Sequence, residues 1–554
     1  MSAGRAVVIG GGFAGLASAA LLAREGYEVE LLEKNAAPGG RAGSWSLDGF
    51  RFDTGPSWYL MPQVFDHFFR LLGTTTEDQL DLVRLDPAYR VFFQDESEPV
   101  DVRSDPGAVT ALFEEIEPGA GERLESYLAS AHEVYDLAVR RFLYTTYQSL
   151  LPLLRADVLR NAARLSRLLI QPMDRFIARS FRDNRLAQIL GYPAVFLGTS
   201  PDRAPSMYHL MSHLDLVDGV LYPQGGITRV VESLVTLAEA EGVRIRTNAE
   251  VTDIVTEPVS RSGRWWPGAD RRRARVRSVR FRDTAGGAGG GGSGPEHVLD
   301  ADLVVGAADL HHIETRLLPA SLQTYPQSWW DRRDPGTGAV LVMLGVRGAL
   351  PQLMHHSLFF TTDWVENFDA ILGSPPRVPD PASIYVCRPS ATDTSVAPPD
   401  SENLFVLVPM PADPGLGRGG VAGGGDARVE AIADAAIAQI AGWAGIPDLA
   451  ERIVVRRTVG PGDFVTDVNA WSGGALGLGH TARQSAFLRG RNVSRKVAGL
   501  YYAGHGTIPG IGLPMCLISA EILLKAVRGD TSTEPLPTPP SQPNPTPLPH
   551  KEFA

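Results

Sequence analysis

Cysteine is almost absent from this chain: Cys387 and Cys516 are the two among 554 residues. So far apart, they form no redox or metal motif, and a disulfide framework of the secreted kind is excluded. A reducing compartment is the reading that follows. Lysine is nearly as scarce. Of 52 basic residues four are lysine (Lys34, Lys496, Lys525, Lys551), which reads as base composition rather than function. An excess of positive charge is missing too: the net charge is -11, which argues against nucleic-acid binding. No run of about 18 apolar residues exists, so no segment reads as a membrane span, although peripheral attachment stays open. With the first core strand beginning by residue 6, no secretory leader is expected. The sequence also shows no Ser-His-Asp pattern, no paired-carboxylate motif, no metal-ligating cluster and no repeat array.

What is present begins at Ala6, with "AVVIGGGFAGLASAALLAREGYEVELLEK". Ala6 to Ile9 suits a buried parallel strand. Gly10, Gly12 and Gly15 stand in G-x-G-x-x-G spacing. The first permits a tight turn, the second lets backbone approach a pyrophosphate, and the third lets the next helix pack on the strand. That helix is predicted from about Ala14 to Glu25, with Phe13 and Ala14 at its N-terminus. There free N–H groups favour anions. A second strand, Glu28 to Leu32, ends at Glu33. An acid at this distance is placed to bond a ribose hydroxyl and would repel a 2'-phosphate, so NADP is disfavoured.

The fragment alone does not separate NAD from FAD. "NAAPGGRAGS" follows, with Gly39, Gly40 and Arg41, and then "FRFDTGPSWYLMP", with Asp53, Gly55, Pro56 and Ser57. A glycine pair with an arginine resembles the second fingerprint of flavoproteins with two dinucleotide-binding domains. Arg41 offers a planar fork to phosphate or flavin oxygens. Gly225 and Gly226 open another helix, which Gly242 ends, and strands near "VRIRT" and "AEVTDIV" return the chain to an α/β pattern. Val251 lies in the latter. Near the C-terminus, "VAGLYYAGHGTIPGIGLPMCLISAEILLKAV" holds a strand (Leu500 to Ala503), a glycine-rich turn and an apolar helix starting near Pro514. Gly504, Gly506, Gly510 and Gly512 remove side chains where backbone must approach something flat, next to Leu513 and Pro514. A helix N-terminus there favours negative charge on a reduced flavin.

Between Arg140 and Arg185 there are 10 arginines and 3 aspartates. Leu151, Leu154, Val158, Ala162, Leu165 and Leu169 recur at helical spacing, with Arg160, Arg164 and Arg167 on another face. Two readings stand: a basic amphipathic helix resting on an anionic membrane, or an ordinary cap helix with a solvated arginine face. "TAGGAGGGGSGPE" from Thr284 reads as a hairpin-tip loop, and Gly415 to Gly425 as loop. From Thr531 the tail carries 8 prolines in 24 residues and reads as disordered and outside the fold.

Six motifs carry a closer resemblance: "GGGFAGL", "EKNAAPGGRAGS", "FDTGPSWYLMP", "SPDRAPSMYHLMSHLDLVDGVLYPQGG", "WSGGALGLGHTARQSAFL" and "GHGTIPGIGLPMCLISA". In this order, over residues 5 to 528, the chain resembles bacterial phytoene desaturases, carotenoid desaturases of the amine-oxidase-like flavoprotein superfamily. It departs from their pattern at Ile508, where histidine is common, and at Met515, where glycine is common.

The resemblance implies an α/β fold: a Rossmann-like FAD-binding domain of the glutathione-reductase and amine-oxidase type, with an inserted α+β substrate domain. Residues 1–70, 223–312 and 468–530 would form the first, and 71–222 and 313–467 the second, which would meet the membrane. The tail is 531–554. FAD would be held by Gly10, Gly12, Phe13, Ala14, Gly15, Glu33, Lys34, Gly39, Gly40, Arg41, Gly55, Pro56, Ser57, Val251, Gly504, Gly512, Leu513 and Pro514. The activity implied is stepwise desaturation of phytoene, or a related long polyene, toward lycopene. The setting implied is cytoplasmic, at the inner face of the cell membrane.

One hydrogen would leave as hydride to flavin and the other as a proton. Asp215, Asp218, His209 and His213 are candidate acceptors, each equally readable as structural, and none is assigned. "GTIPGIG" does not fit a second dinucleotide fingerprint, so electrons are expected to leave to oxygen or a quinone. The competing readings are an amine oxidase, a protoporphyrinogen oxidase, a later-step carotenoid desaturase, a carotenoid isomerase or ketolase, and a flavin-free carrier of prenylated GTPases on the same scaffold. For an amine oxidase's aromatic cage, Tyr501 and Tyr502 would point to opposite faces.

Overall fold

The structure is a computed structural model that describes residues 3–148, 158, 160–259, 272–284 and 294–539. A five-stranded parallel sheet stands at the cofactor end. Its order is Leu500–Tyr502, Leu303–Gly306, Arg5–Ile9, Glu28–Leu32 and Arg244–Arg246. These strands come from three separated stretches of chain. The first strand sits in the middle because both its faces are apolar. Ala6 and Val8 pack on one side, against the helices Phe13–Arg24, Ile227–Ala240 and Leu513–Arg528. Val7 and Ile9 pack on the other, against a separate cluster around Ile254, Val279 and Leu500.

A seven-stranded mixed sheet forms the second body. Its order is Ile453–Val459, Thr337–Arg347, Ser401–Pro411, Ile384–Cys387, His356–Phe360, Tyr89–Phe93 and Val100–Val102. The long strand Thr337–Arg347 is buried on both faces. Val340, Val342 and Leu344 meet the helix Ala427–Trp443, whereas Ala339, Leu341 and Met343 face the opposite core. A smaller sheet pairs Ala249–Pro258 with Ala274–Asp283 and Glu296–Asp300. The glycine tract read as a tip between its last two strands lies outside the described residues over 285–293.

One difference from the sequence reading has a plain cause. The tail does not leave the fold at Thr531. Buried Lys525 donates to the carbonyls of Tyr144, Ser532 and Glu534 at 2.8, 2.9 and 2.7 Å, which draws Thr533 and Leu536 into the core. Residues 540–554 lie outside the described residues. The arginine-rich segment forms a helix over Ala162–Ile170, and the earlier part of its stripe, 151–157, lies outside the described residues. The apolar face of that helix is not left bare, because Ala162, Leu165 and Leu169 line an internal cavity, which Val158 also borders.

No helix among the described residues is long and apolar enough to cross a membrane.

Candidate active site

One cavity of about 1020 Å³ runs from the parallel sheet to the seven-stranded sheet. Two helices aim their N-termini at it. The helix Phe13–Arg24 begins after Gly12 and the helix Leu513–Arg528 after Gly512, and neither has a side-chain cap. The first-turn N–H groups of Phe13, Ala14 and Leu513 therefore have no intrahelical or side-chain acceptor and lie at the cavity wall, where Pro514, which has no N–H, adds only its ring.

Every cofactor residue expected from the sequence lines this cavity except Gly15. Gly15 has another task. A β-carbon there would stand 1.9 Å from the carbonyl oxygen of Gly10, so this glycine seats the helix on the strand. At Gly12 the nearest atoms to such a carbon are 4.0 Å away, so its missing side chain leaves open space within the cavity. Gly39 donates its N–H to the carbonyl of Gly11 at 2.9 Å, which lays the Gly39–Arg41 turn on the first glycine loop.

Glu33 is 5% exposed. Its Oε2 accepts from the N–H of Gly11 at 2.7 Å and its Oε1 from the N–H of Asn35 at 2.8 Å. Both oxygens keep further lone pairs, and the side chain borders the cavity. Arg41 donates through Nε to the carbonyl of Ala475 at 2.9 Å. One of its terminal nitrogens lies 3.8 Å from Asp309 Oδ2 and is buried without a hydrogen-bond partner among the described residues. A glycine cradle with open space, two uncapped helix ends and an unsatisfied guanidinium nitrogen together fit the diphosphate of a dinucleotide. Lys34 is committed elsewhere, to the carbonyl of Thr466 and to Asn469 Oδ1, at the C-terminal end of the helix Pro461–Val468.

Asp309 and His505 complete the polar wall, and the sequence reading missed both. His505 Nε2 lies 3.6 Å from Asp309 Oδ2. Burial pushes the Asp309 carboxyl up, but the hydrogen bond from His505 and the charge of Arg41 outweigh it and hold the group below its usual value. Burial and the same arginine push His505 down. Position offered a signal, since Asp309 follows a core strand and His505 sits within "GHG".

His480 is a third missed residue. It accepts from the N–H of Ile511 at Nε2, 3.2 Å, so in its neutral form the ring proton sits on Nδ1 and is donated to the hydroxyl oxygen of Tyr208. Burial, and then the nearby Arg489, push His480 well below the ordinary histidine value. This ring also corrects one reading of the glycine turn. A β-carbon at Gly510 would meet His480 at 2.4 Å and one at Gly506 would meet Leu310 at 3.0 Å. Those two glycines accommodate the protein itself, whereas Gly504 and Gly512 border the cavity.

The far part of the cavity is aromatic and aliphatic. Trp58, Phe196, Leu341, Phe360, Trp364 and Leu407 contribute to it. Trp58 lies 5.4 Å from Phe196 and 4.3 Å from His356, ring centre to ring centre. None of the candidate proton acceptors lines the cavity. Asp215 is buried behind Tyr192, accepts from Tyr89 at 3.0 Å and is raised by burial to about 7. His209 is paired with Ser130, and His213 sits between His132 and Asp218. Tyr501 and Tyr502 do not line the cavity either, and Tyr502 is spent on buried Glu314.

Residues 13–522 match the model of the flavin containing amine oxidoreductases. The chain is 42% identical to a carotenoid 3,4-desaturase of Haloarcula japonica, over 94% of this chain and 98% of the relative. It is 33% identical to a zeta-carotene-forming phytoene desaturase of Myxococcus xanthus, over 94% of this chain and 93% of that protein. Among solved structures it resembles an oxidoreductase from Methanosarcina mazei (TM-score 0.58, 15% identity, 94% and 100% of the two chains). It also resembles an engineered putrescine oxidase (TM-score 0.56, 14% identity, 95% and 99%). At such identities these two speak for the fold alone.

Proposed function

The chain belongs to the carotenoid desaturases of the flavin-containing amine oxidoreductase family and is an FAD-dependent oxidoreductase, and from that premise we propose that it introduces double bonds into a long carotenoid hydrocarbon. The observation that carries the proposal is the continuity of one cavity. A dinucleotide cradle at one end opens into an apolar, aromatic chamber at the other.

A hydrocarbon offers no charge and no hydrogen-bonding group, so recognition rests on apolar burial and shape. Trp58, Phe196, Phe360 and Trp364 supply flat, stiff walls that hold a polyene in one orientation. When bound, FAD supplies the hydride acceptor. Gly10, Gly12, Gly39 and Gly40 would hold its diphosphate, Glu33 its ribose and Arg41 a diphosphate or flavin oxygen. The helix starting at Leu513 would place its positive end beside the flavin ring.

The first substrate reading is phytoene, desaturated stepwise toward lycopene, and rests on the ordered motifs. The second is a later-step 3,4-desaturation near the end of an already conjugated carotenoid. The higher identity to a carotenoid 3,4-desaturase favours it. The departures at Ile508 and Met515, which both border the cavity, are consistent with a shifted substrate. The substrate would arrive from a membrane surface. Ile170 is 74% exposed at the end of the basic helix, and half-exposed Phe487 also borders the cavity. Oxygen or a membrane quinone would take the electrons.

Anaerobic mixing of the FAD-loaded protein with carotenoid-bearing liposomes tests this reading. Bleaching of the flavin band by phytoene, by lycopene or by both assigns the substrate. Recovery of the band with air or with quinone assigns the acceptor. A flavin that no carotenoid bleaches overturns the proposal.

A further inference from the structure

Beside the cavity wall, three ligating side chains converge. Donor atoms of His355, His356 and Cys387 lie within 4.8 Å of one another, and the residues are 5%, 0% and 1% exposed. The sheet brings them together. His356 opens the strand His356–Phe360 and is the cross-strand partner of Cys387, so both project to one face. His355 precedes the strand and escapes its alternation. Its ring lies 4.6 Å from that of His356, with the planes 75° apart.

Each imidazole has one nitrogen in use and one idle. Nδ1 of His355 is 2.8 Å from Thr392 Oγ1, and Nδ1 of His356 is 2.8 Å from the Tyr385 hydroxyl. Nε2 of each is buried with no hydrogen-bond partner among the described residues. Two stranded ring nitrogens beside a buried thiol are costly to leave unmatched. Each ring is held at Nδ1 by an outer hydroxyl oxygen, the kind of partner that orients metal-ligating histidines.

We propose that His355, His356 and Cys387 form a buried three-coordinate site for copper(I). The ligand set selects the ion. A thiolate with imidazoles suits copper(I) or zinc. No fourth histidine, cysteine or carboxylate joins the cluster among the described residues, whereas structural zinc takes four ligands. Charge points the same way. Two neutral imidazoles and one thiolate make a neutral complex with a monovalent ion but leave a buried positive charge with a divalent one. On binding, the thiol proton leaves to solvent and a copper–sulfur bond replaces the S–H bond, with no change of oxidation state. The site would also steady the cavity, because Trp58 lies flat on His356 and both Trp58 and Tyr385 line the wall.

The test uses the full-length FAD-loaded protein. Chains from copper-supplemented cells are expected to keep one copper through gel filtration. Copper-free chains should withdraw one equivalent of copper(I) from its bicinchoninate complex under nitrogen. X-ray absorption should show one sulfur and two nitrogen neighbours. Cys387→Ser and His355→Gln should lose the copper while keeping the flavin spectrum. Cys516→Ser should keep it, and Thr392→Val should weaken uptake by about 10–100-fold. Should both ligand variants fail to fold, the wild-type stoichiometry and its sulfur and nitrogen neighbours decide alone. Absence of copper uptake by the wild type overturns the proposal. So does uptake undiminished in folded ligand variants, or retention of zinc(II) by protein that refuses copper(I).

Discussion

The carboxylate of Glu33 accepts a hydrogen bond from the backbone N–H of Gly11 at 2.7 Å, which fixes the end of the second strand against the first glycine turn. The bond orients a buried anion before any ribose arrives. Glu33→Gln should weaken FAD binding by about 1.5–3 kcal/mol, the range for hydrogen bonds to a charged group. Equilibrium dialysis of FAD against the refolded apoprotein measures this, and unchanged affinity would dissociate Glu33 from the cofactor.

The two glycines of the first fingerprint should fail differently. Gly12→Val places its side chain in open cavity space, so the variant should fold and remain colourless. Gly15→Ala puts a methyl group against the Gly10 carbonyl, so it should lose about 1–3 kcal/mol of stability. Flavin absorbance and urea unfolding separate the two effects. A yellow Gly12→Val protein would contradict the cradle.

Leu165 and Leu169 test whether the apolar face of the basic helix serves the cavity. Leu165→Glu should retain FAD and lower kcat/KM for the carotenoid at least tenfold, about 1.4 kcal/mol. Assays in detergent and in liposomes should show the same loss. A loss confined to liposomes would mean that this residue acts at the membrane instead.

Acid should destabilise the fold through its buried neutral histidines. Burial holds His209 down at about 4 and His480 well below the ordinary value. Their unfolded forms take up protons below about pH 6.5, while the folded forms resist until much lower pH. Their stabilising contribution is therefore complete above pH 6.5 and is lost as pH falls toward the folded values. At pH 5.5 His209 should have cost on the order of 1 kcal/mol, and His480 acts in the same direction. Urea unfolding at pH 7.5 and 5.5 checks the sign, and His209→Gln should flatten the difference.

Local features were legible in the sequence because their causes are local. The glycine spacing, the acid after the second strand and the uncapped helix at Gly12 are all set within about thirty residues. Most of the rest depends on distant partners. Asp309 and His505 meet at Arg41 only after three stretches of chain assemble one sheet. Gly506 and Gly510 read like ligand contacts until Leu310 and His480 take the space beside them. The stripe on the basic helix has the same spacing whether it faces lipid or an internal chamber, and only packing distinguishes them. The tail's composition concealed Leu536, which buried Lys525 and Glu521 hold in place through backbone groups.

Product analysis bears most directly on the proposed desaturation. The FAD-loaded protein is incubated with phytoene, and separately with lycopene, in anionic liposomes, in air and with added quinone. The extracted pigments are then weighed by mass spectrometry and their absorption recorded. Hydrogens should be lost in pairs, with polyene bands moving to the red, and Gly12→Val should lose that activity. Unchanged carotenoids in the presence of a protein whose flavin is bound would contradict it.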